Sequence, residues 1–177
     1  MRITNVLIIT ILFTCSVLYG QEKVNWYTFE EAIELTRKEA RPVFIDVYTD
    51  WCGWCKRMDK DTFSHPEIAS LMNSMYYPVK FNAETKDTIQ FKEVTFVNSN
   101  PEKRRSAHQL AAALLQGKLS YPSTAFLNGE MELLTVVSGY MKPNDLEPIL
   151  YYFGNGEYLN KDWETFSKDF KSKISEN

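Results

Sequence analysis

Residues 43–56 read VFIDVYTDWCGWCK, and this stretch decides the fold. Its first part, residues 43–48, is a short, nearly continuous run of β-branched and aromatic residues, which is typical of a strand buried on both faces. Cys52 and Cys55 follow directly, and a helix is expected to begin near Cys52. The stretch therefore predicts a buried strand, a short loop and a helix, with two cysteines where the loop meets the helix.

The spacing of Cys52 and Cys55 favours redox chemistry. Two intervening residues at a helix start allow the two sulfurs to meet across one turn. The Cys52 sulfur would lie beside the free N–H groups of the helix N-terminus, which favour a thiolate, and Lys56 adds a positive charge nearby. The Cys55 sulfur would lie deeper, where it can attack a mixed disulfide. We predict Cys52 as the nucleophile and Cys55 as the resolving thiol.

Other uses of the cysteine pair fit less well. A zinc site needs four ligands, but there is no second cysteine pair, and His65 and His108 lack paired spacing. Covalent haem attachment needs a histidine after the second cysteine, where this chain has Lys56. An inert structural disulfide stays an alternative, although so short a loop constrains the unfolded chain little. We expect no metal and no cofactor.

Composition excludes several classes of protein. The 177 residues include 7 glycines and 7 prolines, too few for a collagen-like chain, and 14% aromatic residues, too many for a disordered one. Three cysteines are too few for a disulfide scaffold. The net charge of -3 argues against a nucleic-acid binder, which usually has a basic domain. One domain with a sizeable core is expected.

Residues 1–20 have the pattern of a secretory signal peptide. Arg2 precedes a run of apolar and small residues, and polar sequence begins after Gly20, where we expect cleavage. The alternatives are a retained membrane anchor, for which the run is at the lower limit of length, and a lipoprotein modified at Cys15. We expect an exported protein, periplasmic or otherwise extracytoplasmic, with no stable membrane span. Its two remaining cysteines would lie in a compartment that permits disulfide chemistry.

Capping and turn signals predict the other elements. Thr28 and Glu31 form a capping box for a helix over residues 29–40. Asn100-Pro101 predicts a helix start, and Asn128-Gly129 between two apolar runs predicts a hairpin. A terminal amphipathic helix is indicated by four apolar residues: Trp163, Phe166, Phe170 and Ile174. Alternating strands and helices followed by a hairpin favour an α/β sandwich with a mixed sheet.

Three segments together resemble the thioredoxin superfamily. Residues 43–56 resemble its active-site strand, loop and helix, Tyr121-Pro122-Ser123 its cis-proline loop, and Ser138-Gly139 the glycine after its last strand. Residues 41–64 are most similar to the C-terminal domain of the periplasmic transmembrane thiol:disulfide reductase and to exported thioredoxin-like proteins of that group. The resemblance implies a three-layer α/β sandwich with helices on both faces of a mixed central sheet.

The resemblance also implies a domain organisation. A thioredoxin-like domain is expected over residues 21–155, with residues 84–105 inserted into it, and residues 156–177 as a C-terminal helical extension. A partner contact through the Lys103-Arg104-Arg105 cluster is one interpretation of the insert. A solvated helix start is the other.

The family's site residues carry over position by position. Asp46 would be a buried acid that exchanges a proton with Cys55, since burial raises the pKa of a carboxyl group; a solvated carboxylate at the strand end is the alternative. Pro122 would be cis and would place the backbone of Tyr121 for pairing with an extended substrate. A docking surface would be lined by Trp51, Gly53, Trp54, Tyr121, Pro122 and Gly139. For the two tryptophans the alternative is core packing.

The resulting hypothesis is an exported thiol-disulfide oxidoreductase that reduces protein disulfides. Its partners would be proteins with disulfides or oxidised cysteines and an upstream thiol electron donor, with no nucleic acid. Trp54 stands where proline or histidine is common, which leaves the reduction potential open. The alternatives are a disulfide oxidase or isomerase, and a binding module that holds a partner through the insert or the terminal helix without redox turnover.

Overall fold

The computed structural model describes residues 22–174, so the predicted leader and Cys15 lie outside the described part. Helices α1 to α6 span Phe29–Lys38, Gly53–Met58, Pro66–Met75, Gln109–Leu114, Pro143–Gly154 and Trp163–Asp169. Strands β1 to β6 span Val43–Tyr48, Tyr77–Asn82, Ile89–Phe91, Val94–Phe96, Ser123–Leu127 and Leu133–Ser138. A π-helical turn, Asp59–Phe63, continues α2, and a 3-10 turn, Glu157–Leu159, follows α5.

Four strands form one mixed sheet in the order β2-β1-β5-β6. Strand β1 pairs parallel with β2 and antiparallel with β5, and β5 pairs antiparallel with β6. Because β1 is central, residues 43–47 are all buried, as the apolar run predicts. Strands β3 and β4 form a separate two-stranded hairpin inside residues 84–105.

Each face of the sheet carries its own hydrophobic core. Val43, Ile45 and Val47 point to the face covered by α1 and α4. Phe44 points to the opposite face, where it packs with residues of α2, α3 and α5. The alternation of side chains along β1 thus divides the molecule into three layers. The predicted three-layer α/β sandwich is confirmed.

Two local predictions are confirmed with a change of detail. The Thr28–Glu31 capping box forms, and α1 ends at Lys38. The hairpin at Asn128-Gly129 forms, but the left-handed residue in its loop is Met131 (φ 59°). A Cβ atom on Gly129 would lie 3.1 Å from backbone and side-chain atoms of Ala40. Glycine at position 129 therefore allows this loop to pack closely against Ala40, just after α1.

The predicted helix start at Asn100-Pro101 is wrong. Residues 100–105 form turns, and α4 begins only after His108, whose side chain accepts a hydrogen bond from the N–H of Leu110. The buried Asn98 side chain explains the difference, because its Oδ1 accepts from Asn100 N–H and from Ser106 Oγ. Such side-chain bonds to nearby backbone compete with helix formation.

The terminal helix is shorter than its apolar pattern predicts. It ends at Asp169, and Ile174 instead packs into the core beneath α5 from an extended segment. A buried carboxylate holds this segment, since Glu147 of α5 accepts from Ser172 Oγ and, at 2.9 Å, from Lys173 N–H. Within residues 22–174 no helix is both long and apolar enough to cross a bilayer.

Replacing Glu147 by alanine is expected to detach the C-terminal segment. The change removes the acceptor for two hydrogen bonds, and loss of buried hydrogen bonds typically lowers the free energy of unfolding by about 1–3 kcal/mol. Chemical denaturation measures this loss, and amide exchange at residues 172–174 should rise. The control is Glu164→Ala, on the exposed face of α6. Equal stability of the two variants would contradict the assignment.

Candidate active site

Cys52 and Cys55 form a disulfide at the start of α2, with their Cα atoms 5.3 Å apart. Cys52 is the N-cap residue, and its sulfur accepts a hydrogen bond from the N–H of Cys55 at 3.1 Å. When the pair is reduced, this N–H is placed to stabilise a thiolate on Cys52. Both cysteines are buried, whereas Trp51 and Trp54 beside them are 49% and 55% exposed. Core packing is therefore wrong for the two tryptophans.

The π-helical turn after α2 sends neighbouring acidic side chains in different directions. Asp59 contacts the ammonium group of Lys80, and Asp61 forms a salt bridge with Arg57 at 3.0 Å. Thr62 Oγ1 donates to the carbonyl of Met141 at 2.6 Å and ties the turn to the loop before α5. The turn therefore supplies Asp59 to the ion pair with Lys80 and Asp61 to the exposed edge of the site.

Asp46 lies on the central strand and is almost completely buried. Its register partner on β2 is Lys80, whose Nζ contacts Asp46 Oδ2 at 2.6 Å. Asp46 shares the α2 side of the sheet with Phe44, because side chains two apart on a strand point the same way. The carboxylate thus lies on the side of the sheet that the helix carrying Cys55 covers. The alternative of a solvated Asp46 is wrong.

Burial controls the ionisation of Asp46. Loss of hydration raises the pKa of its carboxyl group to about 6, although the charge and hydrogen bond of Lys80 act in the opposite direction. Burial alone would lower the pKa of Lys80, but attraction to Asp46 and Asp59 outweighs it and the pKa is raised. Lys80 therefore stays charged while Asp46 can change its charge near neutral pH.

Trp54 belongs to a rim cluster on one side of the cysteines. Its ring lies 5.5 Å from that of Tyr140, and the Arg57 guanidinium carbon lies 5.3 Å from the Trp54 centroid. Tyr140 also donates a hydrogen bond to Asp61 at 3.4 Å. The cation over Trp54 is therefore paired with its own carboxylate.

Trp51 belongs to a second cluster, which includes the insert. Its ring makes an edge-to-face contact with Tyr121 at 6.0 Å, and its indole N–H donates to Glu84 at 3.0 Å. The guanidinium carbon of Arg105 lies 4.6 Å from the Trp51 centroid. Residues at the two ends of the 84–105 segment thus hold the side chain that directly precedes Cys52.

The loops opposite the cysteines have the features that the resemblance implied. The Tyr121–Pro122 peptide bond is cis, and the Pro122 carbonyl accepts from the N–H of Gly139 at 2.8 Å. Gly139 has φ 102°, a conformation that favours glycine. Gly53 is exposed, and a Cβ atom there would meet nothing within 4 Å. Tyr121 lies beside Trp51, whereas the contacts of Gly53 and Gly139 do not by themselves assign a binding role.

Sequence reasoning did not place four residues in this site, Asp59, Lys80, Glu84 and Arg105, although the basic cluster interpreted as a partner contact includes Arg105. Lys80 had a usable signal, because it is a lone cation in an apolar strand. The other three depend on the π-helical turn and on the path of the insert. Neither histidine joins the cysteines: His108 caps α4, and among residues 22–174 no cluster of His, Cys, Asp or Glu could hold a metal ion.

A family model named Thioredox_DsbH, described as a protein of unknown function, DUF255, matches residues 17–175. The chain belongs to this family. This family is thioredoxin-like, in agreement with the resemblance noted from residues 43–56. The site described above therefore occupies the position of the thioredoxin-fold cysteine pair.

Curated relatives match parts of the chain. Spermatogenesis-associated protein 20 of Homo sapiens is 32% identical over 82 residues, which cover 46% of this chain and 10% of that protein. The thiol:disulfide interchange protein DsbD of Pseudoalteromonas atlantica is 29% identical over 70 residues, or 39% of this chain and 12% of that protein. The matched region thus spans about a tenth of the length of these relatives.

Solved structures share the fold. A DsbH oxidoreductase superposes with a TM-score of 0.53 at 16% identity, covering 75% of this chain and 85% of that one. A thioredoxin from Thermus thermophilus superposes with a TM-score of 0.55 at 17% identity, covering 80% and 98%. These superpositions confirm the thioredoxin-like fold.

Asp46→Asn is expected to stabilise the folded protein at alkaline pH. The pKa of Asp46 lies at about 6 in the folded protein against 3.8 for an exposed group, so ionisation of the folded state is unfavourable. As pH rises through 6, ionisation of Asp46 lowers the free energy of unfolding of the wild-type protein by up to about 3 kcal/mol. The asparagine variant cannot ionise and keeps this stability. Its amide oxygen can still accept from Lys80.

Denaturation curves at pH 4 and pH 8 measure this effect. The variant should gain stability at pH 8 and little at pH 4. Asp169→Asn, an exposed carboxylate on α6, is the control and should change neither value. A destabilised Asp46→Asn at pH 8 would mean that attraction to Lys80, and not burial, dominates.

Proposed function

We propose that this protein is an exported reductase of protein disulfides. The observation that carries the proposal is the Cys52–Cys55 pair at a helix start, between two exposed tryptophans and above a buried acid. The Cys52 thiolate attacks one sulfur of a substrate disulfide, whose bond breaks and leaves a substrate thiolate. Cys55 then attacks the Cys52 sulfur, and the substrate departs as a dithiol. The two electrons come from the Cys52–Cys55 pair, which an upstream thiol donor reduces again.

Asp46 acts as proton acceptor for Cys55. Above about pH 6 its carboxylate is ionised and can take the Cys55 proton as that sulfur becomes a nucleophile. Lys80 holds the carboxylate in place and also binds Asp59. Because Asp59 is half-buried and reaches the surface, these three residues also link the buried acid to solvent.

The two tryptophans form the edges of the substrate surface. Exposed aromatic side chains beside a buried nucleophile favour docking of an extended polypeptide. The backbone of Tyr121, before the cis bond, supplies the edge along which such a segment pairs. Gly53 and Gly139 keep side chains away from this path, since an added Cβ would meet open space at both positions. The proposal also includes residues 1–20 acting as a signal peptide that directs the protein to an extracytoplasmic compartment.

Replacing Cys55 by serine should trap substrates. Without the resolving thiol, the mixed disulfide on Cys52 persists and accumulates. Non-reducing electrophoresis of extracts from cells that export the variant should show mixed-disulfide adducts, which disappear when a reductant is added. Cys52→Ser is the matched control and should trap none. If the Cys55→Ser protein forms no Cys52-dependent adducts, the catalytic proposal fails.

The reduction potential decides the direction of turnover. Equilibration of the Cys52–Cys55 pair with a dithiol buffer should give a value near that of thioredoxin, about -270 mV. A value near -120 mV would mean that the protein oxidises its partners instead. Full function of a Cys52→Ala protein in cells would favour a binding module.

Asp46→Asn should slow the resolving step. Wild-type resolution should accelerate as pH rises through about 6, because ionised Asp46 then accepts the Cys55 proton. The variant lacks this base, and loss of general base assistance typically lowers a rate by about 10²-fold or more. Stopped-flow release of thiol from a preformed mixed disulfide measures the step. Asp50→Asn, an exposed carboxylate, should keep the wild-type pH profile. An unchanged profile for Asp46→Asn would exclude Asp46 as the base.

A further inference from the structure

The 84–105 insert places a cation at the edge of the cysteine site. Arg105 lies over the face of Trp51, and Trp51 directly precedes Cys52. Glu84, at the other end of the insert, binds the indole N–H of the same tryptophan. The ring is thus held from its face by one end of the insert and from its edge by the other.

The backbone at the end of the insert is held in an unusual conformation where Arg105 contacts Trp51. Arg105 has φ 61°, which is unfavourable for any residue other than glycine, asparagine or aspartate. The next residue is fixed, since Ser106 donates to Asn98 Oδ1 at 2.7 Å and its carbonyl accepts from Asn98 Nδ2 at 2.8 Å. Asn98 also binds the carbonyl of Thr85 beside Glu84. One buried amide therefore fixes both ends of the insert around Trp51.

The Arg105 guanidinium is available to a ligand. It is exposed and has no salt-bridge partner among residues 22–174. Stacking on a ring occupies the face of a guanidinium and leaves its in-plane N–H groups free for a carboxylate. On the opposite rim Arg57 is already paired with Asp61. In the insert Glu102 is paired with Lys86, and Glu84 accepts from the Trp51 indole without a salt bridge to Arg105 within residues 22–174.

We propose that Trp51 and Arg105 form a subsite for a carboxylate side chain next to the reactive disulfide of a polypeptide substrate. This inference rests on the proposed reductase function and names its substrate class. The exposed part of the Trp51 side chain takes the apolar part of the flanking residue, and Arg105 binds its carboxylate. Because Arg105 lies over Trp51, whereas the arginine beside Trp54 is paired with Asp61, the acidic residue lies on the Trp51 side of the substrate cysteine.

Matched peptides test the inference. Acetylated and amidated peptides with one disulfide would carry Glu, Gln or Lys beside the attacked cysteine, so that no terminal carboxylate competes. At low ionic strength the Glu peptide should have a kcat/KM about fivefold above that of the Lys peptide, as for one exposed charge pair. The ratio should fall toward one in high salt.

Variants locate the preference. Arg105→Ala should bring the Glu-to-Lys ratio close to one, and Arg105→Glu should invert it. Alanine and arginine both carry a Cβ atom, so the unfavourable φ of 61° affects the variant and the wild-type protein alike. Arg104→Ala is the control for nearby charge and should keep the wild-type ratio. A ratio that survives Arg105→Ala, or that Arg104→Ala abolishes equally, would overturn the inference.

A binding measurement separates the subsite from turnover. Oxidised protein is titrated, by tryptophan fluorescence, with the same peptides carrying serine in place of cysteine. Tighter binding of the Glu peptide that depends on Arg105 supports the subsite even if no peptide is reduced, in which case the reductase proposal alone fails. Equal binding of the Glu and Lys peptides overturns the subsite, even if all peptides are reduced.

Discussion

The active site depends on a carboxylate that is kept in the interior of a β-sheet by a single lysine. Asp46 and Lys80 are register partners on adjacent parallel strands, so the sheet itself sets their separation. Removing Asp46 from water raises its pKa to about 6, a range in which the group can serve as a base or remain neutral. Lys80 also binds Asp59 of the turn after α2, and so ties the helix of the cysteines to the sheet below it. Asp46, the proposed proton acceptor, and the helix that begins at the cysteine pair are therefore held together through Lys80.

The sequence predicted the central strand and the helix of the cysteines better than it predicted the exposed residues around them. The apolar run at residues 43–48 suffices to place a buried strand, and the cysteine spacing places the helix after it, because both depend on local pattern. Asp46 is predicted only through the resemblance to the thioredoxin superfamily, which implies a buried acid at that position of the strand. The contacts of Trp51 were not predictable, since Glu84 and Arg105 reach it only through the path of the insert. The mistaken helix at Asn100-Pro101 has a related origin, because the local capping signal is outweighed by buried Asn98, which bonds to Asn100 and also to Ser106 and Thr85.

The two sides of the cysteine pair differ in the pairing of their arginines as well as in origin. The Trp54 side is built from α2, its π-helical turn and the loop after β6, and its arginine is neutralised by Asp61. The Trp51 side is completed by the insert and keeps an unpaired arginine. A substrate segment between the tryptophans would therefore meet a paired arginine at one edge and, at the other, an arginine with no salt bridge among residues 22–174. Under the proposed function, this asymmetry would let the insert influence partner choice without altering the chemistry of the cysteines.

The π-helical turn imposes a length constraint on the chain. A π turn holds one residue more than an α-helical turn of the same height. A chain one residue shorter between Asp59 and Phe63 would return to the α-helical path, and each residue beyond the deletion would rotate by about 100°. Thr62 would then lose the Met141 carbonyl, and Phe63 would leave the contact with Phe44. Insertions and deletions in homologous chains should therefore avoid this turn.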